Sequence, residues 1–172
     1  MDSCVYRVQG KTKVVDSRLR DVVVALGSNQ GDRQKHLAYA ISALETHFTD
    51  IRVSPLIETA AENVGQQPDF LNGVVVGVTD FSPENVMNIL LAIEQERGRV
   101  RPYAGAPRTL DLDLILMGSC VCENKCVQVP HPRFRQRRFV LEPLVAIAPE
   151  LVDPVTGSTM AELLSLLTGD VR

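Results

Sequence analysis

Two aspartates, Asp111 and Asp113, alternate with Leu110, Leu112 and Leu114 in one short segment of the chain. Because a β-strand projects successive side chains to opposite faces, the carboxylates would share one face and the leucines the other. Carboxylates at this spacing repel each other when bare, and a divalent cation that prefers hard oxygen ligands, such as Mg²⁺, relieves the repulsion. The pattern therefore indicates a divalent-metal site, although the pair alone is equally consistent with two solvated aspartates.

Three arginines flank this segment. Arg108 directly precedes the predicted strand, and Arg99 and Arg101 lie at the other end of the same loop. Metal-bound carboxylates with converging arginines suit phosphoryl transfer, because the charge on the phosphate oxygens must be neutralised and the reacting groups aligned. A single loop arginine is usually solvated, but three of them around an Asp-x-Asp strand favour a phosphate-binding role.

A second basic cluster covers residues 131–139 and contains four arginines. It suits either a triphosphate or a nucleic acid, because aromatic residues are interleaved with the arginines. His131 taken by itself is more often structural than catalytic. The turn at 27–32 resembles a phosphate-binding turn but lacks the spacing of a P-loop, so a tight connection from strand to helix is the better interpretation.

The apolar pattern predicts the elements that must position these residues. Short apolar runs predict strands, spacings of three and four residues predict amphipathic helices, and Gly and Pro mark the loops. We predict strands at 22–26, 51–59, 70–79 and 110–117, helices at about 32–47 and 82–98, and loops at 60–69 and 99–109. This order, β-α-β-β-α-β, predicts an α+β, ferredoxin-like antiparallel sheet with helices packed on it. A short C-terminal helix is expected after Thr159, which forms a capping box with Glu162.

The composition is that of one ordinary globular domain. The chain has 172 residues, 45% of them hydrophobic and 23% charged, and its net charge of −3 provides no overall attraction to nucleic acid or anionic membranes. We therefore expect neither as a partner. Residues 1–20 hold little that could pack and no secretory core segment, which predicts a loose extension ahead of a domain at 21–172. Four cysteines do not indicate a disulfide scaffold, so a cytoplasmic protein is expected. We also expect a monomer.

Five motifs in the same order resemble those of the 6-hydroxymethyl-7,8-dihydropterin pyrophosphokinases of folate synthesis. The most specific is 107–113, and the others are 25–29, 67–72, 98–101 and 129–131 with Arg137 and Phe139. The similarity extends over about 22–167. It implies an enzyme that transfers pyrophosphate from ATP to the hydroxymethyl group of 6-hydroxymethyl-7,8-dihydropterin and releases AMP.

The resemblance also implies roles for individual residues. Asp111 and Asp113 resemble the pair that holds two Mg²⁺ ions, and Arg99 and Arg108 resemble the arginines that act on the transferring phosphates. It assigns pterin binding to Thr59, Phe70, Asn72 and Phe139, and ATP binding to Glu94, Arg101, His131 and Arg137. Two aromatic rings and an amide supply the stacking faces and the hydrogen-bonding edge that a flat pterin needs.

The loop at 102–107 departs from the family pattern. It is one residue shorter than in many relatives, and it lacks the tryptophan and the basic residue that relatives often carry before Gly-Pro-Arg. Tyr103 is a candidate replacement for the missing ring. The contacts of those two family residues are therefore not carried over to this chain.

Two alternative functions follow from other features of the chain. A ferredoxin-like sheet can present aromatic residues to RNA bases, but Asp111 and Asp113 on the central strand would repel phosphate without a metal. A zinc-binding module could use Cys120, Cys122 and Cys126, but their spacing is not a standard zinc pattern, so ordinary hairpin cysteines are the better interpretation.

Overall fold

The structure is a computed structural model that describes residues 6–8, 11–13, 19–60, 67–98 and 106–169. In chain order the strands are β1 (Tyr6–Val8), β2 (Lys11–Lys13), β3 (Arg20–Ser28), β4 (Thr49–Val53), β5 (Ile57–Thr59), β6 (Phe70–Thr79), β7 (Asp111–Met117), β8 (Cys122–Glu123) and β9 (Gln128–Val129). The helices are α1 (Arg33–Glu45), α2 (Pro83–Glu96), α3 (Arg138–Ile147) and α4 (Met160–Thr168), and a 3₁₀ turn covers Phe134–Gln136.

The main sheet is antiparallel and places β3 between β6 and β7. Its strand order is β4–β6–β3–β7, and β5 pairs with the first residues of β6. The strands β1 and β2 form one small hairpin, and β8 and β9 form another. The structure confirms the predicted α+β class with an antiparallel sheet.

Alternate residues of β3 face two separate hydrophobic cores. Val22, Val24 and Leu26 pack with α1 and α2 on one side of the sheet, whereas Val23 and Ala25 pack with α3 and α4 on the other. A strand that is buried on both faces needs apolar residues at successive positions. This requirement explains the nearly continuous apolar run from which the strand was predicted.

The ends of α2 agree with the sequence prediction. The side chain of Ser82 accepts a hydrogen bond from the backbone N–H of Asn85 at 3.2 Å, and Pro83 occupies the first turn. Gly98 follows the helix with a φ of +68°, a left-handed conformation that favours glycine. The capping box at the start of α4 is also confirmed, since the Thr159 and Glu162 side chains each accept the other's backbone N–H.

The single strand predicted at 51–59 is wrong, because the structure has two short strands there, β4 and β5. Pro55 lies between them and has no N–H to donate, which interrupts the ladder. The buried Ser54 maintains the connection to β6, since its N–H donates to the carbonyl of Val74 and its Oγ accepts from the N–H of Val74, both at 2.9 Å. After the break the chain returns to β6 as β5, so Thr59 lies opposite Phe70.

Helix α3 was not predicted, and the C-terminal part therefore has two helices where one was expected. Pro143 lies inside α3, where it cannot donate the usual hydrogen bond to a carbonyl one turn earlier. Val140, Leu141 and Leu144 are fully buried against the sheet. Their burial offsets the missing hydrogen bond, an outcome that the local pattern around a proline does not indicate.

The predicted boundary between extension and domain falls close to the start of β3. Arg20 already pairs with Thr79 on β6, and β1 and β2 fall within the predicted extension. The looseness of residues 1–20 stays a prediction. Among the described helices, none has both the length and the apolar character required to cross a membrane.

Asp153 is a buried carboxylate that ties the segment between α3 and α4 to the 3₁₀ turn. Its fully buried side chain accepts hydrogen bonds from Nε and Nη2 of Arg135 at 2.6 and 2.7 Å and from Oγ1 of Thr156 at 2.6 Å. Burial by itself would raise the pKa of Asp153, but these hydrogen bonds and that of the Val155 N–H outweigh it and hold the pKa below its ordinary value.

We expect Asp153→Asn to lower the free energy of unfolding by about 2 kcal/mol near neutral pH, because Arg135 loses its charged partner. A carboxylate whose pKa is lower in the folded state stabilises the fold above the unfolded pKa of about 4, and this contribution disappears as the pH falls through the folded pKa. Urea denaturation should therefore show a large difference in the free energy of unfolding between Asp153→Asn and wild type at neutral pH, and a smaller difference near pH 3.

The exposed Asp80 offers a matched control. Asp80→Asn should leave the free energy of unfolding unchanged at both pH values. A difference between Asp153→Asn and wild type that stays constant with pH would contradict the stabilising role of the carboxylate charge.

Candidate active site

A cleft of about 340 Å³ opens where β3 ends and β7 begins. It brings together eight of the residues that the sequence analysis assigned to the site: Thr59, Phe70, Asn72, Arg108, Asp111, Asp113, Arg137 and Phe139. These residues come from β5, β6, β7, the segment before β7 and the start of α3. The rest of the described lining was given no role from the sequence: Ala25, Leu26, Gly27, Ala60, Gln67 and Arg133.

Asp111 and Asp113 line the cleft from β7, whereas Leu112 between them is buried in the core on the side of α1 and α2. Arg108 donates a hydrogen bond to Oδ2 of Asp111, and Nη1 of Arg137 donates one to Oδ2 of Asp113 at 2.9 Å. Both carboxylates retain exposed surface, 18% of the side chain for Asp111 and 34% for Asp113. The strand thus presents two oxygen ligands on one face, each beside a guanidinium.

The donor set of this pair fits Mg²⁺ that arrives with phosphate. In the part of the chain that the structure describes, His, Cys, Asp and Glu side chains form no group of three or more that could hold a metal ion. Asp111 and Asp113 would therefore provide only part of the coordination. Mg²⁺ commonly retains water and phosphate oxygens where a protein offers one or two carboxylates, as in sites that bind nucleotides.

His131 lies beside Asp113 in an orientation that the backbone sets. The backbone N–H of His131 donates to the carbonyl of Ile115 at 2.9 Å, and the ring nitrogen Nδ1 accepts from the backbone N–H of Arg133 at 3.2 Å. The other ring nitrogen, Nε2, is 3.8 Å from Oδ2 of Asp113. Burial lowers the pKa of His131 and the nearby arginines lower it further, while Asp113 opposes them. The lowered pKa favours the neutral imidazole, in which Nδ1 accepts and Nε2–H can donate to an oxygen anion.

The other end of the cleft combines aromatic rings with an amide. Asn72 is 6% exposed, and its Nδ2 donates to Oγ1 of Thr59 at 2.7 Å. Phe70 pairs with Thr59 across β5 and β6, and Phe139 has the guanidinium of Arg137 5.5 Å from its ring centre. A flat heterocycle in this cleft could stack on phenyl faces and exchange hydrogen bonds with the amide.

Gly27 forms part of the wall, where a side chain would make a tight contact with this amide. A Cβ at Gly27 would lie 3.0 Å from Oδ1 of Asn72, 3.6 Å from Phe70 and 3.9 Å from Asp111. The backbone of β3 can therefore lie close to both the ring-binding residues and the carboxylates. From the sequence Gly27 indicated only a turn, since the strands that pack around it are distant along the chain.

Ser28 and Asn29 hold the segments that border the cleft. The N–H of Asn29 donates to the carbonyl of Arg108 at 3.1 Å, and its Oδ1 accepts from the N–H of Arg108 at 2.7 Å. Its Nδ2 donates to Oε1 of Gln67 at 3.2 Å and to the carbonyl of Pro68 at 3.3 Å. Oγ of Ser28 donates to the carbonyl of Thr109 at 2.6 Å. Both side chains are buried, so this turn organises the site through hydrogen bonds within the protein.

Glu94 lies behind β7 and does not line the cleft. It is 1% exposed, and its Oε1 accepts a hydrogen bond from the backbone N–H of Leu112 at 2.7 Å. The contact of Glu94 with ATP stays a prediction, to which the structure adds a direct connection to the strand that bears the aspartates. Arg99 and Arg101 lie outside the described residues, so their assigned roles also stay predictions.

The three cysteines of the alternative zinc hypothesis lie around the hairpin of β8 and β9. Cys120 is buried, Cys122 is half-buried within β8, and Cys126 is exposed in the turn that follows. None of them lines the cleft. Their positions are those of residues in and beside a short hairpin.

The cleft combines two kinds of group: carboxylates and arginines with an imidazole beside them, and aromatic rings with an amide. This combination defines an enzyme that transfers phosphoryl groups to a substrate with a flat ring. Residues 23–149 match the family model of the 7,8-dihydro-6-hydroxymethylpterin-pyrophosphokinase, HPPK. The chain belongs to this family.

Named relatives agree with the family match. The chain is 38% identical to the 2-amino-4-hydroxy-6-hydroxymethyldihydropteridine pyrophosphokinase of Pseudomonas aeruginosa over 86% of its own length and 91% of that protein. It is 40% identical to the folic acid synthesis protein fol1 of Schizosaccharomyces pombe over 84% of its length, but it spans only 20% of that protein. The wild-type HPPK-DHPS of Plasmodium falciparum has the same fold, with a TM-score of 0.69 at 14% identity over 88% of this chain and 45% of that one.

We expect Phe139→Ala to weaken the binding of 6-hydroxymethyl-7,8-dihydropterin about fivefold or more and to leave ATP binding nearly unchanged. A lost stacking face on a partly buried ring removes on the order of 1 kcal/mol beyond the loss of apolar area. Calorimetry with the pterin, and separately with a non-hydrolysable ATP analogue, measures the two affinities. Phe81→Ala is a control at a half-buried ring outside the cleft. Equal losses for pterin and nucleotide would contradict a stacking role for Phe139.

Proposed function

We propose that this chain transfers the pyrophosphoryl group of ATP to the hydroxymethyl group of 6-hydroxymethyl-7,8-dihydropterin and releases AMP, a reaction of folate synthesis. The observation that carries the proposal is the single cleft in which Phe70, Phe139 and Asn72 lie beside Asp111 and Asp113. The family match supports the same reaction.

In this proposal the pterin ring stacks on Phe70 and Phe139, and its hydrogen-bonding edge meets the amide of Asn72. The hydrogen bond from Asn72 Nδ2 to Thr59 determines the amide orientation, so Oδ1 is the atom directed toward Gly27 and the cleft wall. A fixed amide favours one arrangement of donors and acceptors on the ligand. The absent Cβ at Gly27 leaves room for the ring edge.

The phosphates in this proposal lie at the other end of the cleft. Asp111 and Asp113 would hold two Mg²⁺ ions, which would neutralise the phosphate oxygens and favour the ionised form of the attacking hydroxyl. Arg108 pairs with Asp111 and Arg137 pairs with Asp113, and the remaining N–H donors of both guanidinium groups can bind phosphate oxygens. The Nε2–H of His131 provides a neutral donor in the same region.

The reaction forms one bond and breaks one bond. The substrate hydroxyl oxygen bonds to the β-phosphorus of ATP, the bond from that phosphorus to the oxygen bridging the α- and β-phosphates breaks, and AMP leaves with this oxygen. The hydroxyl proton passes to solvent, and no side chain is assigned as its acceptor. Arg108, held at its backbone by Asn29, is placed to stabilise the charge that develops on the transferring group.

Finer features of the fold and setting belong to the same proposal. The order β4–β6–β3–β7, with α1 connecting β3 to β4 and α2 connecting β6 to β7, supports a ferredoxin-like core to which β5, α3 and α4 are added. ATP and the dihydropterin are the partners this cleft suits. A monomer in the cytoplasm, without nucleic acid or membrane as partner, stays the expectation from the sequence.

The experiment that tests the proposal separates the nucleotide products after incubation with ATP, Mg²⁺ and 6-hydroxymethyl-7,8-dihydropterin. We expect AMP and the pterin pyrophosphate in equal amounts, and little of either from Asp111→Asn or Asp113→Asn. Both variants keep the size of the side chain, so circular dichroism should confirm that they fold. Release of ADP in place of AMP would identify an ordinary kinase and refute the proposal.

Arg108→Ala should reduce the single-turnover rate about a hundredfold and change the ATP dissociation constant by less than about threefold. A charge-assisted contact made mainly in the transition state contributes a few kcal/mol to the rate and little to ground-state binding. Rapid-quench kinetics and calorimetry measure the two quantities. Arg52→Ala is the control, because Arg52 contacts the carbonyl of Ile147 outside the cleft. Equal losses of rate and affinity would mean that Arg108 only holds ATP.

A further inference from the structure

Four side chains form a polar cluster between α1 and the end of α2, outside the cleft lining. Arg97, the residue after α2, directs Nε and Nη2 at Nδ1 of His36, at distances of 3.1 and 3.0 Å. The same guanidinium lies 4.8 Å from the ring centre of Tyr39. The hydroxyl of Tyr39 donates a hydrogen bond to the carboxylate of Glu96. Two residues of α1, His36 and Tyr39, therefore contact the side chain of Arg97 at the C-terminal end of α2.

The partners of His36 determine its protonation state. Arginine has only donors, so Nδ1 of His36 must accept from Arg97, and the ring hydrogen must lie on Nε2. Burial lowers the pKa of His36, and the charge of Arg97 lowers it further, while Asp32 opposes both. The groups around the ring are Asp32 at the start of α1, Tyr39 one turn along α1, and Glu96 and Arg97 from α2. Protonation would remove the acceptor and place a second positive charge against the guanidinium.

The backbone of Arg97 connects this cluster to the cleft. Its carbonyl accepts a hydrogen bond from Oγ1 of Thr109 at 2.9 Å, and the carbonyl of Thr109 accepts one from Oγ of Ser28 at 2.6 Å. Thr109 directly follows Arg108, whose guanidinium pairs with Asp111. Arg97 and Thr109 therefore meet just before β7, the strand that carries Asp111 and Asp113. Among the described contacts, the side chain of Arg97 interacts only with residues of α1.

We propose that His36 is a positioning residue: as a neutral imidazole it holds Arg97, and through the bond between Arg97 and Thr109 it places Arg108 for the transfer step. The inference rests on the proposed function. His36 contacts no residue that lines the cleft in the described contacts, so its effect reaches the reaction through Arg97. Because only the neutral ring can accept from Arg97, the positioning is lost at acid pH.

The decisive comparison is His36→Asn with His36→Leu. The two replacements have nearly the same size, but only asparagine can place an acceptor near the position of Nδ1, and it does not titrate. Near neutral pH we expect His36→Leu to lower the single-turnover rate about three- to tenfold, which corresponds to the loss of one hydrogen bond of ordinary net strength, with the KM values for both substrates unchanged. His36→Asn should recover most of the wild-type rate.

The pH profile tests the titration. As the pH falls below the ordinary pKa range of histidine, the wild-type rate should fall relative to that of His36→Asn, because only the wild type loses its acceptor on protonation. Parallel profiles for wild type and His36→Asn would overturn the acid sensitivity. His47→Asn and His47→Leu are matched controls at an exposed histidine that contacts Phe81, and both should behave like the wild type.

A double-mutant cycle with Arg97→Met separates positioning from simple loss of stability. If His36 acts through Arg97, the rate of the double variant His36→Leu with Arg97→Met should match that of either single variant. Additive losses, or equal rates for His36→Leu and His36→Asn, would overturn the inference. Failure of the wild type to form AMP would refute the proposed function itself, whereas an active wild type with a fully active His36→Leu would refute only the role of His36.

Discussion

The alternation of β7, with aspartates on one face and leucines on the other, is the constraint on which the site depends. Leu112 is buried on the side of α1 and α2, so Asp111 and Asp113 must face the side from which Arg137 approaches at the start of α3. A slip of one residue in the pairing of β7 with β3 would exchange the two faces and bury the carboxylates. The buried carboxylate of Glu94 holds the N–H of Leu112 and so stabilises this register from α2.

Polar contacts at the end of β3 connect the two halves of the cleft. Asn29 binds the backbone of Arg108 on one side and reaches Gln67 and Pro68 on the other, and Ser28 holds Thr109. These groups are buried and satisfied within the protein, which is the condition under which polar side chains stabilise a fold. The candidate ring-binding and phosphate-binding residues are thus connected to the same short turn, so a displacement of one side would affect the other.

The charge balance of the cleft is arranged before any ligand arrives. Arg108 and Arg137 neutralise Asp111 and Asp113, which reduces the repulsion between two neighbouring carboxylates. A nucleotide with its magnesium ions brings both anionic oxygens for the arginines and cations for the aspartates. We therefore expect the same four side chains to exchange partners when the substrates bind. Groups that are already ordered need little reorganisation during the reaction.

The sequence alone indicated the chemistry proposed for this protein, because the candidate metal ligands and phosphate-binding arginines occur at short spacings that one strand and its flanking loop can hold. It also determined the ends of α2 and the start of α4, since capping depends on residues that are neighbours along the chain. Only the tertiary structure decided that Pro143 lies inside a helix and that Gly27 lies close to the amide of Asn72. It also placed Glu94 behind the catalytic strand and joined His36 to Arg97. Each of these four features depends on contacts between residues that are far apart in the chain. A local sequence pattern carries no information about such contacts.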